Sequence, residues 1–133
     1  MELQEYDKDT GRIICSYAVT EALAEIMRGE GRALIESDLS DSKRYYVDIT
    51  KTPHEITLRP AQRTTQNVSQ IAADGDDTLI LDNLPVPCNV SIGGETYTVN
   101  DGRLEWSTLG KGHYPIWVSA FPHADWRGEV EAV

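Results

Sequence analysis

Apolar and polar residues alternate with a period of two through most of this chain, and the alternation is sharpest after residue 70. Short strands are predicted at 71–75, 78–85, 89–94 and 95–102, followed by 103–106, 113–118 and 129–133. Turn signals fall between them: Asp74-Gly75, Asn83-Leu84-Pro85, Gly93-Gly94, Asp101-Gly102 and Gly110-Lys111-Gly112. Strands of this length, punctuated about every ten residues, predict an antiparallel β-sandwich over 71–133.

The first sixty residues are more mixed. Glu5 to Tyr17 reads as a hairpin whose turn spans Asp7–Gly11, with Gly11 supplying the positive φ. Thr20 to Gly29 is the one convincing helix: Thr20 caps its start, Glu21 suits the positive end, and Gly29 closes it. Leu23, Ile26 and Met27 lie at i, i+3, i+4 and predict its docking stripe. Strands follow at 32–36, 44–49 and 54–59, the last closed by Pro60. Residues 60–70 hold one sizeable apolar side chain in eleven, the composition of a linker or an extended crossing segment. The expected division is therefore a β-rich module at 1–62, a linker at 63–70 and a sandwich at 71–133. An N-terminal strand that completes the sandwich is the alternative, and it would erase the boundary.

Composition narrows the choice of function. The 133 residues are 40% hydrophobic, enough for one ordinary core or two small ones. The net charge is −10, which disfavours nucleic acid and anionic membrane surfaces as partners. The charge is uneven: residues 1–70 carry 9 Lys+Arg and 12 Asp+Glu (net −3), and residues 71–133 carry 3 and 10 (net −7). No apolar run approaches the roughly 18 residues of a membrane span, and the N-terminal residues show no basic-plus-apolar pattern, so no signal peptide is expected. The two cysteines, Cys15 and Cys88, are expected as buried free thiols of a protein made in a reducing cytoplasm, with a disulfide between them as the alternative.

No constellation for chemistry emerges. Phosphate loops, dinucleotide fingerprints and nucleophile elbows are missing from the sequence. His54, His113 and His123 are scattered, and nothing pairs either cysteine with a histidine, so no catalytic, cofactor or metal residue is assigned. Asp74, Asp76 and Asp77 form the densest acidic cluster. A polar turn is the expected reading, with a calcium loop as the rival. Trp106, Trp117 and Trp126 gather in the last 28 residues. Core or interface packing is expected of them, above all of Trp117 between Ile116 and Val118, and contact with sugar rings is the alternative. Tyr45 and Tyr46 point to opposite faces of one strand, so only one of them belongs to a core.

Several stretches carry a resemblance: Tyr6-Asp7-Lys8-Asp9-Thr10-Gly11-Arg12-Ile13, Gly29-Glu30-Gly31-Arg32-Ala33-Leu34-Ile35-Glu36, Tyr45-Tyr46-Val47-Asp48 and Arg59-Pro60. Together they resemble a module of small tail-fibre-associated proteins of tailed bacteriophages. Ala73-Asp74-Gly75, Asn83-Leu84-Pro85, Val99-Asn100-Asp101-Gly102, Gly112-His113-Tyr114 and Ala120-Phe121-Pro122 look like landmarks of the immunoglobulin-like domain that often follows in such proteins. The resemblance implies a virion structural component in place of an enzyme. It would be made in the host cytoplasm, without a cofactor, and assembled with other phage structural proteins and with copies of itself. The expected contact residues are Tyr45, Tyr46, Ile56 and Leu58 in the N-terminal module, with Trp106 and Trp126 in the sandwich. Capsid decoration and carbohydrate binding are the alternative roles.

Overall fold

The computed structural model describes all 133 residues as two compact units, Met1–Arg59 and Pro60–Val133. Both are built mainly of antiparallel strands, and the chain has one helix.

In the first unit, β1 (Glu2–Tyr6) and β2 (Ile13–Ala18) form the expected hairpin. Its turn is closed by Gly11 N–H donating to the Asp7 carbonyl at 2.7 Å, with Gly11 at φ +85. β3 (Leu34–Glu36) pairs with the other side of β1, giving the order β2-β1-β3. β4 (Tyr45–Asp48) and β5 (Glu55–Leu58) form a second hairpin. Gly11 seats that hairpin: Val47 N–H donates to the Gly11 carbonyl at 2.8 Å. A Cβ on Gly11 would lie 1.9 Å from the Val47 oxygen. The core here is small. Tyr6, Ile13 and Val47 make its buried cluster, with Ala33, Ile35, Tyr45, Ile49 and Ile56 packed against it. Central strand β1 is covered on both faces, since adjacent Leu3 and Gln4 are both fully buried. Gln4 is satisfied there, donating to the Ser37 carbonyl at 2.9 Å and accepting from the Ser16 hydroxyl.

Helix α1 (Glu21–Gly29) starts as predicted, with the Thr20 hydroxyl accepting from Leu23 N–H at 3.3 Å. Its docked face keeps Met27 of the expected stripe but turns Leu23 and Ile26 out of it. Ala24 and Met27 are buried, whereas Leu23 and Ile26 are 45% and 62% exposed. The buried pair has the same i, i+3 spacing, displaced by one residue, about 100° around the axis. The small Ala24 side chain permits close approach of the helix backbone, which a count of large apolar residues overlooks.

The second unit is a two-sheet sandwich. One sheet has the order β11-β8-β6, from β6 (Thr65–Gln66), β8 (Leu79–Asp82) and β11 (Leu104–Trp106). The other has the order β10-β9-β12-β13-β7. It is built from β7 (Gln70–Ile71), β9 (Cys88–Ile92), β10 (Glu95–Val99), β12 (Gly112–Ser119) and β13 (Trp126–Ala132). All pairs are antiparallel except β7 with β13. The first segment thus serves both sheets, and the rest follow the strand order of an immunoglobulin-like sandwich. A second hallmark is present at the start of β12: the Tyr114 hydroxyl donates to the Gly110 carbonyl at 2.7 Å, tying the strand to the corner before it. Alternate residues fill the core: Leu79 and Leu81; Cys88, Val90 and Ile92; Ile116 and Val118; Val130 and Ala132. Ile71, Leu84, Val99 and Ala120 complete it.

Residues 63–70 are not a linker. They supply β6 and β7, and the division falls at Arg59/Pro60. The segment is polar because its side-chain amides make the attachments. Gln62 donates to the carbonyls of Val118 and Ala124 at 3.0 and 2.9 Å, and Gln66 to that of Glu129 at 2.8 Å. Asn67 accepts from Ile80 N–H at 2.7 Å. Hydrogen bonding holds in place a stretch with little apolar surface to bury.

Candidate functional site

Two surfaces stand out, one on each unit. On the first unit, cross-strand register puts Tyr45 opposite Leu58 and Val47 opposite Ile56. These four share one face of the β4–β5 hairpin, because directly paired residues lie on the same side. Burial falls along that face: Val47 is fully buried, Tyr45 and Ile56 are half-buried in the cluster, and Leu58 is 58% exposed. Tyr45 and Ile56 therefore belong to the unit's own core, while Leu58 continues the apolar face into solvent. Tyr46 lies half-buried on the opposite face, as the alternation requires. Ile14, Leu23 and Ile26 are exposed elsewhere on the same unit.

β3 is the terminal strand of its sheet. Beside it lies a concavity of about 460 Å³ lined by Tyr6, Leu34, Ile35, Glu36, Thr52, Pro53 and His54. The Tyr6 hydroxyl meets His54 Nδ1 at 2.7 Å, and the rings pack edge to face at 5.8 Å. Burial raises the Tyr6 pKa, so the phenol stays protonated and serves as a hydrogen-bonding wall group.

On the sandwich, the three tryptophans sort differently from expectation. Trp106 and Trp126 pack against the core. Trp106 sits edge to face on Tyr114, with centroids 4.9 Å apart. Trp126 covers Gly128, where a Cβ would lie 2.6 Å from its ring. Trp117, expected in the core, is 46% exposed on the outer face of the five-stranded sheet. Ile116 and Val118 both point inward, so the residue between them points outward. That alternation was available in the sequence. The Arg127 guanidinium stacks on the Trp117 ring at 4.8 Å.

The acidic loop is a self-capped turn. Asp74 Oδ1 accepts from the N–H groups of Asp76 and Asp77, both at 2.9 Å. The Asp77 carboxylate accepts from Ala72 N–H at 2.8 Å and Thr78 N–H at 3.1 Å. The Asp77 and Asp76 amides hold the Asp74 pKa below the usual carboxylate value. No group of three His, Cys, Asp or Glu side chains converges as a metal-binding set. The exposed His113 side chain stands between two carboxylates of β13, 3.4 Å from Glu129 and 3.9 Å from Glu131. Both cysteines are free. Cys88 is buried, and burial raises its thiol pKa, but Cys15 is exposed, contrary to expectation, because β2 is a terminal strand with an open outer face.

Comparison with known proteins finds no matching family model, no matching curated protein and no matching solved structure.

Proposed function

We propose that this chain is a structural component of a tailed-phage virion, placed at the tail or a tail-fibre attachment and acting by protein–protein assembly. The phage setting rests on the resemblance of the Tyr6–Ile13, Gly29–Glu36 and Tyr45–Asp48 stretches. The assembly role rests on one observation: the first unit buries little of its apolar surface. Its buried apolar residues are Leu3, Tyr6, Ile13, Ala24, Met27 and Val47, and it leaves Met1, Ile14, Leu23, Ile26 and Leu58 exposed. A unit of this size with so small a core is marginal alone and gains most from a partner.

In this reading Met1–Arg59 is the anchor. Leu58 extends the apolar contact beyond Tyr45 and Ile56, Tyr46 offers a contact on the opposite face of the hairpin, and terminal strands β3 and β5 offer backbone groups to a neighbouring subunit. The sandwich, with Trp106 and Trp126 packed against its core, projects or packs against an adjacent protein. The partners are other virion proteins and copies of this chain.

Quantitative mass spectrometry of gradient-banded virions tests the proposal. A few copies per particle match a tail part, and many copies move the chain to the capsid surface. Absence from the particle overturns both. Leu58→Asp should abolish incorporation while leaving the sandwich folded.

A further inference from the structure

We propose that the outer face of the five-stranded sheet binds an uncharged sugar ring, stacked on Trp117. The register builds the site in two adjacent rows. Thr96, Ser91, Trp117 and Arg127 lie side by side across β10, β9, β12 and β13, and Asn89 pairs with Ser119 in the next row. Between them is a concavity of about 260 Å³ lined by Asn89, Ser91, Thr96, Trp117 and Ser119. Arg127, on the neighbouring strand away from β9, stacks on the indole at 4.8 Å. The concavity opens on the β9 side, so the indole becomes its wall.

The chemistry of the lining selects the ligand. The hydroxyls of Ser91, Thr96 and Ser119 make no hydrogen bond within the chain, and Asn89 Oδ1 receives only the Thr98 hydroxyl at 3.2 Å. The lining carries no charge, although residues 71–133 hold 10 Asp+Glu against 3 Lys+Arg. An apolar aromatic wall beside neutral donors and acceptors complements a ring with a C–H face and hydroxyl edges. A cation would find no carboxylate there, and a phosphate only the occupied Arg127. The volume lies just below the roughly 300–1,000 Å³ of pockets that enclose drug-sized ligands, which suits one ring and weak monovalent binding. Several copies in an assembly would raise the avidity without new contacts.

The test is affinity electrophoresis through gels containing dextran, galactomannan or glycol chitin, three uncharged polysaccharides. The native chain is expected to be retarded in at least one. Trp117→Ala should weaken retardation at least ten-fold, and the double variant Ser91→Ala/Ser119→Ala should weaken it by less. Leu109→Ala, at a 78% exposed position outside the lining, should leave it unchanged. Melting curves check that each variant is folded. Free migration of the native chain in all three gels overturns the proposal, as does retardation that both variants retain. Loss of virion incorporation in Trp117→Ala, without polysaccharide binding by the native chain, would give this face to a protein partner instead.

Discussion

Met1–Arg59 and Pro60–Val133 are both β-structured, yet they hold themselves together differently. The second unit buries thirteen apolar side chains in one continuous cluster between two sheets. The first has a buried cluster of three, and its strands are split between a three-stranded sheet and a two-stranded hairpin. An isolated two-stranded hairpin is marginal in water and needs a surface to pack on. Here β4–β5 depends on the contact of Val47 with Gly11, and its apolar face runs out into solvent at Leu58. The same backbone chemistry thus gives a sandwich with one continuous core in one unit and a split, small-cored arrangement in the other.

Several substitutions sharpen this contrast. The largest effect is expected from Gly11→Ala, which adds a Cβ against the Val47 oxygen at a positive φ. It should cost several kcal/mol, on the order of the largest single-residue effects, and collapse the amide spectrum of residues 1–59 while leaving that of the sandwich dispersed. Leu81→Ala, at a fully buried site, should cost about 2–5 kcal/mol and lower the melting of the sandwich alone. Tyr114→Phe removes the hydroxyl that ties β12 to Gly110, and a loss of about 1 kcal/mol in denaturant unfolding should result.

Acid should act more gently, and on both units. Hydrogen bonds from Thr50 lower the Asp48 pKa, and those from Asp77 and Asp76 lower that of Asp74. A carboxylate whose folded pKa is depressed contributes stability above its unfolded pKa, and loses it as pH falls through the folded value. Stability should therefore decline below about pH 4, the unfolded range of aspartate. The slope should be shallower in Asp74→Asn, measured by chemical denaturation at stepped pH. The smallest perturbation is thiol labelling. A disulfide dye should modify exposed Cys15 at once and buried Cys88 only when the sandwich opens.

Much of the fold was legible because the signals were local. Alternation along Cys88–Ile92 and Ile116–Val118 marked the strands, and Gly11, Thr20 and Gly29 marked the turn and helix ends. The missed features depend on long-range partners. Gln62, Gln66 and Asn67 bond to backbone distant in sequence, so their segment looked like a linker. The helix docks through Ala24, whose small size hides its burial. Of the candidate contact residues, the opposed faces of Tyr45 and Tyr46 followed from the strand period, but the depth of Ile56, Trp106 and Trp126 depended on packing. Trp117 could have been placed outside from its inward neighbours alone. What surrounds it could not, because Ser91 and Thr96 reach it only through sheet register.

Hydrogen–deuterium exchange, measured on the isolated chain and on purified virions, tests whether a partner completes the first unit. In the isolated chain, amides of β1–β5 should exchange well before those of β8, β9, β12 and β13, and incorporation into the particle should slow the β1–β5 amides selectively. Equal protection of the two units in isolation, or no change on incorporation, would contradict an anchor completed by its partner.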